Sequence, residues 1–103
     1  MIYTEQIEGI KLNIQTVDLR INEEVQDNIR KMIKKLKRYI SEINWVDIHF
    51  KKEGSQATDK RMINVRIGIP GIDAFASVSG NHWMDLLKKV EVKLRQQLIK
   101  RKK

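Results

Sequence analysis

The chain contains no cysteine, which excludes disulfide staples, thiolate nucleophiles and cysteine-based zinc sites. It has no apolar run near the roughly 20 residues needed to span a bilayer. The opening stretch MIYTEQIEGI lacks a basic region followed by an apolar one, so no secretory signal is read there. Aromatic residues make up 6% of the sequence, with no paired aromatics on one strand of the kind that stack RNA bases and no G-x-x-G clamp for single strands. Acids are scarce against bases, 13 to 21. The expectation is a soluble, cytoplasmic protein with no membrane partner.

Chemistry-bearing clusters are missing as well. His49 and His82 are too far apart in sequence and context for a metal pair, and Asp47, Asp73 and Asp85 fall one to an element with no paired-carboxylate spacing. Ser77 and Ser79 lie outside any nucleophile elbow, and no phosphate loop appears. The reading is not an enzyme, with no cofactor, no metal and no small-molecule substrate.

What remains is charge and periodicity. The net charge of +8 and a pI near 9.9 predict attraction to a polyanion, nucleic acid before an anionic membrane. At 103 residues and 41% hydrophobic content there is material for one modest core. Residues 1–9 show no pattern and read as a flexible leader, leaving 10–103 as a single α+β domain. Ile10, Leu12 and Ile14 alternate with polar residues as a half-buried strand does. Asn22 is an N-cap candidate with Glu23 and Glu24 in the turn after it, and Val25, Ile29, Met32, Ile33, Leu36 and Ile40 give a helical stripe over about 23–40.

Val46, Ile48 and Phe50 alternate in a second strand, and Lys51 to Lys60 is polar and reads as a hairpin loop. Ile63, Val65, Ile67 and Ile69 mark a third strand, closed by Pro70-Gly71 because proline cannot extend a ladder. Asp73 to Val78 is a fourth, whose Ala74 and Ala76 leave room for a helix close above. The last helix runs from Trp83 to Lys103 on a stripe of Trp83, Leu87, Val90, Leu94 and Leu98. Trp83 is read as a core anchor. Trp45 and Tyr39 could stack on a base, although a Trp opening a strand is more often packing.

The expected order is thus β-α-β-β-β-α: a four-stranded mixed sheet with two helices side by side on its aliphatic face. Six of the cations lie in the first helix (30, 31, 34, 35, 37, 38) and eight in the last (88, 89, 93, 95, 100–103), which places 14 of 21 on one side of the domain. Lys89, Lys93 and Lys100 fall within about 40° on the helical wheel.

Three stretches carry a resemblance to a known family. Lys93-Leu94-Arg95-Gln96-Gln97-Leu98-Ile99-Lys100 is similar to the K-L-x-x-Q-L-x-K ending of the ribosome hibernation factors, also called protein Y or hibernation promoting factor. Leu12-Asn13-Ile14 resembles their opening strand, and Lys35-Leu36-Lys37-Arg38-Tyr39 resembles the close of their first helix. The stretch His82 to Lys88 departs from the family's acid-x-Tyr-x-Ala-Ile-Asp run, lacking its Tyr and closing Asp.

The resemblance implies a short-form ribosome-binding protein. It would sit on the small ribosomal subunit, contact its ribosomal RNA through two basic helices, block the mRNA and tRNA channel, and inhibit translation in resting or stressed cells. Lys35, Arg38, Lys93 and Lys100 carry over as RNA contacts on the motif match. Lys31, Lys34, Lys89, Arg95 and Arg101 are added on helical geometry. Off the ribosome a monomer is expected. The competing readings are a generic duplex-RNA or DNA module without ribosome specificity and a membrane-surface helix. The second conflicts with use of the last helix's apolar stripe to cover the sheet.

Overall fold

The computed structural model describes residues 2–17, 19–40, 42–53 and 60–101. Seven elements follow in order: β1 (Ile2–Ile7), β2 (Ile10–Thr16), α1 (Glu23–Leu36), β3 (Trp45–Glu53), β4 (Lys60–Gly68), β5 (Ala74–Gly80) and α2 (Trp83–Arg101). The strands form one sheet in the order β1-β2-β3-β4-β5. β2 and β3 are parallel, joined through α1, and every other neighbouring pair is antiparallel. The mixed α+β sheet with two helices is as expected, but it has five strands, not four.

The additional strand comes from the segment expected to be a loose leader. β1 pairs with β2 from Ile2↔Gln15 to Ile7↔Ile10, around a two-residue turn of Glu8 (φ 48°) and Gly9 (φ 82°). Positive φ at both central residues is the type I′ geometry, whose twist matches that of the flanking strands. The core-facing positions of β1 are Tyr3, Glu5 and Ile7, opposite Ile14, Leu12 and Ile10. An acid in the middle of that set hides the alternation, and a tertiary contact accommodates it. Arg30 on α1 places Nε 2.7 Å from Glu5 Oε2 and Nη2 2.9 Å from Oε1. The Tyr3 hydroxyl donates to Glu5 and accepts from Arg30 at 3.2 Å. These bonds, Arg30's first and Tyr3's second, hold the Glu5 carboxyl below the usual glutamate range.

The core lies between the sheet and the helices. Leu12, Ile14, Val46, Ile48, Phe50, Ile63, Val65, Ile67, Ala74, Ala76 and Val78 are buried on the sheet side. Val25, Ile29, Met32, Ile33 and Leu36 of α1 and Leu86, Leu87, Val90, Leu94 and Leu98 of α2 are buried against them. Asn22 caps α1 as read, its Oδ1 accepting the Val25 N–H at 2.9 Å. α1 ends four residues earlier than the stripe suggests, and Lys37 to Tyr39 are turns. Trp83 anchors α2 edge-to-face on Phe50, with centroids 5.1 Å apart and planes at 81°. Of the stretch Lys51 to Lys60 read as a loop, Lys51 to Glu53 belong to β3 and Lys60 opens β4, and residues 54–59 lie outside the described residues.

Candidate nucleic-acid interface

Topology sets the direction of the two helices. β2 and β3 are parallel, so α1 must run back against both. α2 returns over β5, since Trp83 follows that strand's end while Gln97 reaches Phe75 near its start. The helices therefore run the same way, and Lys35 Nζ meets Glu91 Oε1 at 3.7 Å between them. Glu23, Glu24 and Asp85 lie in the two first turns, at one end of the domain, and Lys34 and Lys35 close α1 toward the other. Each arrangement complements the helix dipole, acids at the N-terminus and cations at the C-terminus.

A shallow groove of about 120 Å³ lies between the helices, lined by Asn28, Lys31, Met32 and Lys35 of α1 and Met84, Leu87, Lys88 and Glu91 of α2. Three ammonium groups face one carboxylate there. Lys34 is exposed on the outer side of α1, and Arg38 is exposed in the turn just past the helix, its N–H donating to Lys35 O at 3.1 Å. Lys88 and Arg95 stand seven residues apart on one line of α2, Lys88 exposed and Arg95 half-buried. The fold assembles a ridge of Lys31, Lys34, Lys35, Arg38 and Arg95 from the expected set, and adds Lys88 to it. Lys88 lay outside that set. Its signal was its spacing: one turn from Glu91 and two from Arg95.

The remaining α2 cations take another direction. Lys89 and Lys93 line a second groove of about 690 Å³ against Ser77, Val78 and Ser79 of β5, with Lys88 shared between the two grooves, and Lys93 Nζ donates to Ser77 O at 3.2 Å. Lys100, exposed, falls on the same flank by helical spacing. Arg101 closes the helix, and its side chain lies outside the described residues. The single field of 14 cations therefore divides. Arg30 is spent on Glu5 and on Asp27 at 2.6 Å, and Lys37 turns to Glu8 at 3.7 Å, both on the β1 flank.

Gln97, inside the motif Lys93 to Lys100, has a structural task that the sequence did not reveal. Phe75 N–H donates to Gln97 Oε1 at 3.0 Å, and Gln97 Nε2 donates to Phe75 O at 2.5 Å. The side-chain amide thus pairs with the outer edge of β5 as another strand would, and Lys93 takes the next outward carbonyl. α2 seals that edge against pairing with other chains. Among the described residues no group of three His, Cys, Asp or Glu side chains is placed to hold a metal ion, and no helix is long and apolar enough to cross a membrane.

Fold and ridge define a structural class: a small α+β domain with two parallel basic helices on one face of a mixed sheet. The chain belongs to the Sigma 54 modulation protein / S30EA ribosomal protein family, whose pattern matches residues 12–103. The Thermus thermophilus Protein Y N-terminal domain is similar in structure, with a TM-score of 0.71 and 18% identity over 86% of this chain and 92% of that one. A ribosomal subunit interface protein from Coxiella burnetii is similar too, with a TM-score of 0.70 and 20% identity over 88% and 96%. No curated protein matches the sequence significantly.

Proposed function

We propose that this protein binds the small ribosomal subunit in the cytoplasm through its ribosomal RNA, occupies the mRNA and tRNA channel, and silences translation in resting or stressed cells. The observation that carries the reading is the ridge across the two parallel helices in a chain of the S30EA family. A-form RNA offers phosphates and 2′-hydroxyls rather than readable base edges, and lysines on rigid helices suit that target. Lys31, Lys34, Lys35, Arg38, Lys88 and Arg95 carry the contact. Lys89 and Lys100 extend it along the β5 flank, and Lys93 serves there as well as in capping the edge.

The test is co-sedimentation of the purified protein with separated ribosomal subunits at physiological salt, with free duplex RNA as competitor. Selective pelleting with the small subunit that survives the competitor is expected. Equal binding to every polyanion would overturn ribosome specificity in favour of a generic duplex binder.

A further inference from the structure

The face of the sheet opposite the helices has no covering element among the described residues, and it is not neutral. From β2 to β5 its side chains include Lys11, Lys51 and Arg66, against one described carboxylate, Asp47. Two aromatic rings share it. Trp45 is half-buried with its ring laid on Gly68, where a Cβ would come within 2.2 Å of Trp45 Cε2. Phe75 is 46% exposed, and the Arg66 guanidinium lies over its ring, Cζ 5.5 Å from the centroid. Arg66 and Gly68 are two residues apart on one strand, so the platforms stand about 7 Å apart along it. A hollow of about 330 Å³, lined by Asp47, His49, Asn64, Arg66 and Phe75, opens beside them.

The polar groups in this hollow are held in place by their cross-strand neighbours on the same face. Thr4 Oγ1 donates to Asn13 Oδ1 at 3.1 Å, and Asn13 Nδ2 donates to Asp47 Oδ1 at 2.8 Å. Ser77 Oγ donates to Asn64 Oδ1 at 2.5 Å. Asp47 Oδ2 thus remains an acceptor and Asn64 Nδ2 a donor, fixed on neighbouring strands. An acceptor and a donor set diagonally on neighbouring strands, beside aromatic faces and a guanidinium, suit the edge of an unpaired base whose phosphate lies against Arg66. Duplex RNA presents no free base face to such rings.

We infer that the open sheet face is a second RNA site, specific for single-stranded RNA, with bases stacked at Trp45 and Phe75 and one base edge read by Asp47 and Asn64. The domain then engages RNA on both sides: phosphates along the helices, and an unpaired segment across the sheet. This site rests on the sheet geometry alone, and the helix ridge could fail its own test without touching it.

The test is fluorescence anisotropy of a labelled octameric RNA, single-stranded or in a blunt duplex, with the full chain. Phe75→Ala and Arg66→Glu are each expected to weaken the single-stranded octamer by about tenfold or more, given what one base–aromatic stack contributes. They should leave the duplex affinity within about twofold. Lys34→Glu/Arg38→Glu should do the reverse, losing the duplex while keeping the single strand. As a measurement that needs no variant, a 4-thiouridine octamer is photo-crosslinked to the wild-type protein. Crosslinks on β3, β4 and β5 are expected. Crosslinks confined to α1 and α2, no binding of the octamer, or single-strand affinity unmoved by both sheet variants would overturn the inference.

Discussion

At the scale of the residue, the informative side chains are those whose partner is remote in sequence. Gln97 pairs with both backbone groups of Phe75 from 22 positions away. Each intramolecular hydrogen bond is worth roughly 1 kcal/mol net, so Gln97→Ala should lower stability by about 1–3 kcal/mol, measured by urea unfolding. It should also leave an open strand edge, seen as concentration-dependent association by light scattering. Gly68 is needed because its missing Cβ makes room for the Trp45 ring. Gly68→Ala should cost about 1–3 kcal/mol. Adding Trp45→Ala should make the double variant more stable than the sum of the single losses, because the clash is then gone.

Glu5 gives the pH prediction. Its folded-state pKa is depressed by the hydrogen bonds from Arg30 and then Tyr3. A carboxyl of lowered pKa contributes stability that is present above the unfolded glutamate value of about 4.3. That contribution is lost as pH falls through the lower folded-state value. Thermal unfolding between pH 7 and pH 2.5 should therefore show a fall below about pH 4 that Glu5→Gln flattens. An identical fall in wild type and variant would remove Glu5 from the account.

Elements bring these residues together. Parallel α1 and α2 form a groove in which Glu91 is the one carboxylate among three lysines, tied to Lys35 at 3.7 Å. Lys35 keeps 59% of its side chain exposed, so this pair stabilises the fold little. Under the proposed function its effect falls on binding instead. Glu91→Gln should tighten duplex RNA by about two- to fivefold at 50 mM salt, and the gain should shrink as salt rises. Unchanged affinity would mean that the groove itself does not touch RNA.

For the molecule as a whole, the proposed contact through the helix-side cations predicts a strong response to salt. If six phosphates of a duplex are neutralised, the slope of log affinity against log salt is roughly −5. Replacing Lys34, Arg38, Lys88 and Arg95 together by Glu should leave the melting temperature within a few degrees and abolish pelleting with the small subunit. Persistence of that pelleting would reject the ridge. These four are better probes than Lys93, whose removal would also uncap β5.

Sequence periodicity by itself determined the inward residues of β2 to β5 and most of the buried stripe of each helix, though it missed Leu86 and ran past the end of α1 to Ile40. Burial against one side imposes a period of 2 on a strand and 3.6 on a helix, whatever lies further off. It determined the N-cap at Asn22, a local bond, and the net charge. The tertiary structure alone decided that residues 2–7 form a strand, since Glu5 at a core-facing position is tolerable only with Arg30 above it. It decided that Arg30 and Lys37 leave the basic field, that Lys89 and Lys93 face β5, and that Gln97 is an edge cap. It also brought Trp45 and Phe75, on strands two apart, to one face. Each of these depends on which element lies beside which, and a helical wheel or an alternating strand carries no information about its neighbour.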